Sequence, residues 1–185
     1  MRAWIVAVAL CLAGQASADA PAKELPKDRL GIDALYVLPT DDYGDEADAG
    51  LGVLVRYERR VGSKLYLAAR GGPLFHVPNI DGHSLTMLLA FAGMRYNLDP
   101  DVASGTFFTM AIGFNYVRSG ASAGGVEVSD SEPEIALDLG VGFQVKTVQV
   151  RGSLFYTPHV GASFSGNEAS YLGLALTLGY DFVVR

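Results

Sequence analysis

The sequence has a single cysteine, Cys11, among its 185 residues. Cys11 falls in an N-terminal segment that we expect to be cleaved, so the mature chain is expected to fold without disulfides. Long apolar runs are also missing, because beyond the N terminus no stretch reaches the about 18 apolar residues that indicate a transmembrane helix. Basic residues are few, with 14 Lys and Arg against 20 Asp and Glu and a net charge of −6. These absences argue against a disulfide-stabilised domain, a helical membrane protein and a nucleic-acid-binding protein.

The N terminus has the three parts of a secretory signal peptide. Arg2 supplies a positive charge, residues 3–13 are apolar, and Ala16-Ser17-Ala18 forms a small-residue cleavage site. A large residue precedes Cys11 where a lipoprotein signal has a small one, so no lipid anchor is expected. The predicted division of the chain is a signal peptide at 1–18, an N-terminal periplasmic segment at 19–27, and one folded domain at 28–185.

Motifs of known chemistry are scarce. No His-Glu-x-x-His zinc motif, Cys-x-x-Cys pair or Walker loop occurs in the sequence, and we identify no nucleophile elbow. The pairs Gly50-x-Gly52 and Gly140-x-Gly142 lack the third glycine and the helix of a dinucleotide-binding fingerprint. We therefore predict no catalytic, cofactor-binding or metal-ligating residue, no cofactor, and no enzymatic activity.

What the sequence does contain is apolar residues at every second position. The pattern is clearest at the C terminus, in Leu172, Leu174, Leu176, Leu178, Tyr180, Phe182 and Val184. The residues between them are small or polar, and a period of two places the two sets on opposite faces of a strand. So long an apolar face would need a second sheet over its whole length in a soluble sandwich, whereas in a barrel it contacts lipid.

The alternation recurs in eight segments, each long enough for a tilted transmembrane strand. The predicted strands are 28–39, 50–61, 64–74, 85–97, 106–118, 133–146, 148–157 and 170–184. Long polar connections are predicted at 40–49, 75–84, 119–132 and 158–169, tight turns at Gly62-Ser63 and Lys146-Thr147, and a connection of intermediate length from Leu98 to Gly105. We predict an all-β fold, a single eight-stranded antiparallel up-and-down transmembrane β-barrel with long external loops and both termini in the periplasm. Residues 85–97 are apolar on both faces, so the pattern leaves open which face meets lipid.

The positions between the apolar residues, which we call the inward parity, also carry charged residues. These are expected to point into a narrow lumen. The predicted inward charges are Asp33, Arg56, Glu58, Arg60, Arg70, Arg95, Asp138, Arg151 and Asp181. They favour a plug of ion pairs, with a narrow ion path as the alternative. Because the first strand closes on the last, Asp33 and Asp181 should approach each other, with an arginine from the second or fourth strand between them.

Aromatic residues near the predicted strand ends are expected to form two interfacial girdles. The periplasmic girdle would contain Tyr57, Tyr96, Phe108, Phe143, Tyr180 and Phe182, and the outer girdle Tyr36, Tyr116, Tyr156 and Tyr171.

Three histidines, His76, His83 and His159, are predicted in or beside the external loops, as solvated side chains. Segments 41–48 and 127–134 hold five and four carboxylates. Their spacing does not match a calcium-binding EF-hand loop, so solvated acidic loops are favoured over cation sites.

The eight segments, their connections and the aromatic stretch 178–182 resemble the small OmpA/OmpX-type outer-membrane β-barrels. The resemblance covers the whole predicted mature chain and is one of architecture. It implies location in the bacterial outer membrane, contact with outer-membrane lipid and lipopolysaccharide, and insertion by the outer-membrane machinery through the last strand. One departure is the ending Val183-Val184-Arg185, where such proteins commonly have an aromatic residue.

The residues favour a structural or surface-contact role, with specificity in the four predicted external loops. Three alternatives stay open. A lipid A-modifying enzyme at the outer rim would pair His83 with Ser84, or His159 with Ser163 or Ser165. A transport barrel would need a continuous lumen. A soluble lipocalin-like barrel would turn the same apolar parity inward.

Overall fold

A computed structural model of the chain describes residues 27–40, 47–78, 83–99, 104–123, 126–160 and 169–183. The eight strands are β1 (Asp28–Pro39), β2 (Ala47–Arg60), β3 (Leu65–Pro78), β4 (His83–Asn97), β5 (Ser104–Ala123), β6 (Val126–Val145), β7 (Val148–Val160) and β8 (Ala169–Val183). Within these ranges there is no helix long and apolar enough to span a membrane.

The strands form one closed antiparallel barrel in sequence order. Each strand pairs with the next, and β1 closes on β8 from Arg29↔Val183 to Pro39↔Gly173. The predicted fold class, strand number and up-and-down topology are therefore confirmed.

The apolar parity faces outward along the barrel. Leu51 is 63% exposed and Phe114 60%, whereas Asp33 and Thr177, on the opposite parity, are 1% and 0% exposed. Such an exterior is what a lipid-facing barrel needs and what a soluble one cannot expose. The lipocalin-like alternative, which required apolar residues inside and polar residues outside, is therefore wrong.

Strand β4 resolves the segment whose facing the sequence left open. Its odd-numbered residues point inward, so Leu85, Met87, Leu89 and Phe91 are buried in the lumen together with Arg95. A strand can turn only one parity inward, and a one-residue slip would place Arg95 in the lipid. Arg95, near one end of β4, must face the lumen, and this requirement turns Leu85, Met87, Leu89 and Phe91 inward along the rest of the strand.

The two ends of the barrel differ. The turn end, as we name it, carries the start of β1, the end of β8, and the β2–β3 and β6–β7 turns. The second of these is the predicted two-residue turn, in which Lys146 adopts a left-handed φ of 55° between paired Val145 and Val148. The loop end carries the connections β1–β2, β3–β4, β5–β6 and β7–β8. The predicted alternation of tight and long connections agrees with this arrangement, but the β2–β3 turn spans 61–64 and not Gly62-Ser63 alone.

All four predicted loop ranges are too long. Strand β3 extends to Pro78, β4 begins at His83, and the predicted loop 119–132 is mostly strand, because β5 and β6 pair up to Ala123↔Val126. Strand residues also occupy 47–49, 158–160 and 169. The prediction ended each strand where apolar alternation ended. Backbone pairing continues past that point, because outside the lipid both faces of a hairpin can be polar.

Candidate functional site

The polar lumen is the part of the barrel where functional groups converge, and its turn-end half contains a balanced ion network. We call it the turn-end cluster; it consists of Arg29, Asp33, Arg56, Glu58, Arg95 and Asp181. Arg56 Nε lies 3.1 Å from both Asp33 oxygens, and its Nη2 donates to Asp181 Oδ1 at 2.6 Å. An arginine of the second strand thus joins the two aspartates, as predicted.

Small residues leave room for this guanidinium. A Cβ at Gly31 would lie 2.6 Å from Arg56 Nη2, and one at Gly179 would lie 2.3 Å from Asp33 Oδ1. The lumen-facing glycines of β1 and β8 therefore belong to the same packing unit as the ion pairs. In so narrow a barrel, large charged side chains on one strand require small residues on its neighbours.

Arg95 crosses the lumen from β4 and collects several acceptors. Its Nη1 contacts Glu58 Oε2 at 3.2 Å and Gln149 Oε1 at 3.0 Å, and its Nη2 donates to Gln144. The guanidinium carbon lies 3.8 Å from the ring centroid of Phe107, a cation–π contact. The planar fork of arginine allows one buried charge to satisfy this many partners.

The predicted list of charges that face the lumen omitted Arg29 and wrongly included Arg60. Arg29 is 4% exposed and donates to Gln144 at 2.9 Å and Tyr66 at 3.2 Å. It shares the parity of Asp33, so the alternation signal was sufficient to find it. Arg60 was predicted inside, but its guanidinium donates to the Gly62 and Ser63 carbonyls of the β2–β3 turn. At the last residue of a strand, a long side chain can fold back to the turn and remain in water.

A second group, the mid-lumen triad, consists of Arg70, Asp138 and Arg151. Asp138 Oδ1 lies 2.5 Å from Arg70 Nη2 and 2.7 Å from Arg151 Nη1. Its other oxygen accepts from Ser153 at 3.2 Å. Arg151 also lies within 3.3 Å of the Thr109 hydroxyl. All three charges were predicted to face the lumen, and two arginines share one carboxylate.

The loop-end half of the lumen is mostly apolar and contains a row of edge-to-face rings, although it also buries Asn115, which donates to Thr157. Phe91 meets Phe155 edge to face at 5.7 Å, Phe155 meets Tyr171 at 5.4 Å, and Tyr171 meets His76 at 5.6 Å. The stack ends at the triad, where the Arg70 guanidinium lies 5.3 Å from the Phe91 centroid. Rings in edge-to-face contact fill the narrow interior at low conformational cost.

Two predictions fail at this stack. His76 was expected to be solvated in a loop, but it lies on β3 and is 6% exposed. Tyr171 was expected in the outer girdle and is fully buried. His76 Nδ1 lies 3.0 Å from the Asp48 carbonyl and Nε2 lies 3.1 Å from the Tyr171 hydroxyl. One neutral tautomer, with the proton on Nδ1, satisfies both contacts. Both residues have inward parity. The predicted third strand ended at 74, before His76, whereas Tyr171 lay inside the predicted strand 170–184 and was assigned to the girdle against its own parity.

The other predicted girdle residues face outward. Tyr57, Tyr96, Phe108, Tyr180 and Phe182 near the turn end, and Tyr36, Tyr116 and Tyr156 nearer the loop end, are 38–49% exposed; Phe143 has outward parity and is partly exposed. Between the girdles an open exterior groove of about 780 Å³ crosses β3 and β4 at Ala69, Gly71, Ala90 and Ala92. It is apolar, and flexible acyl chains would fill such a concavity.

Three small cavities lie in the lumen of the part of the barrel that the structure describes. They measure about 10, 20 and 10 Å³, and a volume of about 10–15 Å³ is needed for a single water. The predicted plug of ion pairs is therefore what the described residues form. The transport alternative, which required a continuous lumen, is not favoured.

The histidine–serine chemistry of the enzyme alternative is not assembled among the described side chains. His76 contacts a carbonyl and a tyrosine rather than a serine. The side chains of His83, Ser84 and His159 lie outside the described set, as do Ser163 and Ser165. No group of three or more His, Cys, Asp or Glu able to hold a metal occurs among the described residues.

One sequence pattern of catalytic interest was missed. Residues 120–124 read Gly-Ala-Ser-Ala-Gly, the Gly-x-Ser-x-Gly spacing of a nucleophile elbow. That motif requires a sharp strand-to-helix turn, but Ser122 lies within β5 and pairs with Glu127 of β6. The structural context of a hydrolase nucleophile is therefore absent at this serine.

The fold defines a class: closed eight-stranded antiparallel barrels with an apolar exterior and a polar, plugged interior. No protein-family model and no curated protein sequence matches the chain significantly. Among solved structures the barrel is similar to Ail, the attachment invasion locus protein of Yersinia pestis, at 12% identity and a TM-score of 0.61 over 85% of this chain and 100% of that one. It is similar to the N-terminal β-barrel domain of Pseudomonas aeruginosa OprF, at 10% identity and 0.59 over 85% and 98%. Neisserial surface protein A is similar at 13% identity and 0.56 over 84% and 97%. At these identities the likeness is one of fold.

Proposed function

We propose that this protein is a non-enzymatic integral protein of the bacterial outer membrane whose loop end binds an extended, basic segment of a partner at the cell surface. The apolar exterior and the similarity in fold to outer-membrane barrels support the location. The observation that carries the binding role is the free edge of β6 at the loop end.

Strands β5 and β6 extend beyond the lipid-facing band. The outward apolar run of β6 begins at Ile135 and ends at Val145, about the 9–11 residues that a tilted strand needs to cross the bilayer. Residues 126–134 come before this run, and at about 3.3 Å per residue they add roughly 30 Å of strand. The β5–β6 hairpin therefore projects from the loop end.

One edge of this projection has no partner strand in the described structure. Pairing of β6 with β7 ends at Leu137↔Tyr156, so among the residues that the structure describes 126–136 pair only with β5. Just beyond this point β7 contains Pro158, which has no N–H to donate to a neighbouring strand, and the β7–β8 register shifts between Thr157 and Val160. An unpaired edge offers N–H and C=O groups to which an extended peptide can add as a further strand.

The charge of the loop end indicates which kind of peptide would bind to this edge. The four segments predicted as external loops, 40–49, 75–84, 119–132 and 158–169, contain ten of the 20 carboxylates and none of the 14 Lys and Arg. Three of these carboxylates, Glu127, Asp130 and Glu132, are on the free-edge part of β6. A basic extended segment is therefore attracted to this edge and an acidic one is repelled. Ail has been crystallised with the heparin analogue sucrose octasulfate, but an acidic loop end does not suit a polyanion.

Within the membrane we propose contact with outer-membrane lipid and lipopolysaccharide around the apolar exterior. We also propose delivery by the outer-membrane insertion machinery through β8. That strand presents Leu174, Leu176, Leu178, Tyr180 and Phe182 on its outer face.

Location is tested by expressing the full chain in a Gram-negative host and separating the membranes. We expect a band in the outer-membrane fraction whose gel mobility changes only after boiling. A soluble periplasmic protein without such a change would contradict the proposal.

Binding is tested with the full chain in lipid nanodiscs and a fluorescent eight-residue peptide of alternating Lys and Val, followed by anisotropy. We expect saturable binding that weakens as salt rises. The triple variant Glu127→Gln, Asp130→Asn, Glu132→Gln should lose most of this affinity. Its matched control, Asp41→Asn, Asp42→Asn, Asp45→Asn, changes the same charge in another loop and should retain it. Equal binding by both triple variants would show that the β6 edge is not the site.

A further inference from the structure

The mid-lumen triad holds one positive charge more than its carboxylate can balance. The turn-end cluster pairs three arginines with three carboxylates, whereas Arg70 and Arg151 share Asp138. All three triad side chains are at most 8% exposed. Asp33 is close enough to attract Arg151, and Glu58 lines the adjoining cavity, but both already contact Arg56. Among the described lumen residues five arginines therefore face four carboxylates: Arg29, Arg56, Arg70, Arg95 and Arg151 against Asp33, Glu58, Asp138 and Asp181. An uncompensated charge in such an interior is costly.

A cavity lies beside these arginines. It measures about 20 Å³ and is lined, among others, by Arg56, Glu58, Arg70, Thr109, Gln149 and Arg151. Two buried guanidinium nitrogens of its lining residues, Arg56 Nη1 and Arg70 Nη2, lack a hydrogen bond of good geometry. Each has only an ionic contact, at 3.3 Å to Glu58 and 2.5 Å to Asp138. The cavity therefore combines excess positive charge with donor groups that have unused hydrogen-bonding capacity.

We propose that this cavity binds one small monovalent anion of chloride size, held by Arg70, Arg151 and the Thr109 hydroxyl. One negative charge neutralises the triad, and a halide accepts hydrogen bonds from several directions, as this lining requires. A sulfate or phosphate is too large for the space and has too much charge. Water fits the cavity but leaves the excess charge in place. The site lies in the lumen and does not depend on the proposed surface role.

The test uses the full chain purified in detergent and unfolded in urea at constant ionic strength. Sodium bromide or chloride replaces sodium gluconate, whose anion is too large for the cavity. We expect the urea midpoint to rise with halide concentration. At ten times the dissociation constant the folded-to-unfolded ratio should be about elevenfold higher than without halide. Crystals grown in bromide should show an anomalous peak between Arg70 and Arg151.

Variants separate this site from general salt effects. Arg70→Gln leaves Arg151 and Asp138 as a neutral pair, so the halide dependence should disappear. Its matched control is Arg60→Gln, which removes an arginine from the turn-end rim and should keep the full dependence. Thr109→Val preserves the charge but removes one donor, so halide affinity should fall several-fold.

Three results would overturn the proposal. These are a midpoint in wild type that does not respond to halide, an equal halide response in Arg70→Gln, or a cavity that contains water and no bromide. If Arg70→Gln does not fold, the bromide crystals of the wild type and the Thr109→Val titration still decide the question.

Discussion

Arg56 shows how much one side chain can determine in this barrel. It contacts Asp33 of β1 and Asp181 of β8, the two strands whose pairing closes the sheet. The parity of the three residues and the closure of the first strand on the last were enough to predict this contact. The inward parity of these residues did not predict the third partner of Arg56, which is Glu58, 3.3 Å from Arg56 Nη1. That contact depends on side-chain conformations within one strand.

Replacing Arg56 should therefore be strongly destabilising. Arg56→Met leaves two buried carboxylates without their shared cation, and such losses cost about 3–5 kcal/mol. We expect a large fall in the urea midpoint of the detergent-solubilised barrel, measured by gel mobility without boiling. Arg60→Met removes an arginine at the rim and should change stability by no more than about 0.5 kcal/mol. Similar midpoints for both variants would show that the buried ion pairs do not stabilise closure.

The contact between His76 and Tyr171 inside the lumen could not be predicted from the sequence. Both have inward parity, yet both are polar and lie near strand ends, where histidine is ordinarily solvated and tyrosine ordinarily interfacial. Their burial is possible because β3 and β8 continue far enough for the two rings to meet across the lumen. The contact spans strands that are not neighbours, and local sequence patterns carry no information about such pairs.

At the scale of strands, glycines determine where neighbouring backbones approach closely. Gly113 of β5 is buried, and a Cβ there would lie 1.9 Å from the Ala90 carbonyl oxygen of β4. Gly152 of β7 faces outward and has nothing within 4 Å of the same position. The period of two already places Gly113 inward and Gly152, which follows inward Arg151, outward, but it does not show how closely a neighbouring backbone approaches either glycine.

Alanine substitution should separate these two glycines. Gly113→Ala forces β4 and β5 apart and should cost about 1–3 kcal/mol, as overpacking does. Gly152→Ala meets no obstacle and should be neutral or stabilising, by about 0.4–1 kcal/mol, because alanine restricts the unfolded chain. Urea unfolding of both variants measures the difference. If Gly113→Ala matched wild type, the close approach of β4 and β5 would be wrong.

For the whole molecule, the lumen has a charged turn-end half and a mostly apolar loop-end half. Both halves are filled by side chains, and this filling opposes the passage of ions through the barrel. The triad lies between the two halves, and the three lumen cavities described above measure about 10, 20 and 10 Å³. An ion crossing the barrel would have to displace both the ion pairs and the ring stack.

We therefore expect no steady ionic current from the wild-type barrel in planar lipid bilayers. A double variant, Phe91→Ala and Phe155→Ala, removes the centre of the ring stack but leaves the ion pairs, so it should stay closed as well. A stable ohmic conductance in wild type would contradict a plugged lumen. Conductance in the double variant alone would show that the rings, and not the charges, close it.

The sequence by itself determined the number of strands, the antiparallel barrel, the outward apolar parity and most of the charges that face the lumen. It could do so because a period of two converts position directly into face. The tertiary structure alone decided the facing of β4, the burial of His76, the shared carboxylate of the triad and the projecting β5–β6 hairpin. Each of these depends on register and stagger between strands that are distant in sequence, and a periodic pattern along one strand does not contain that information.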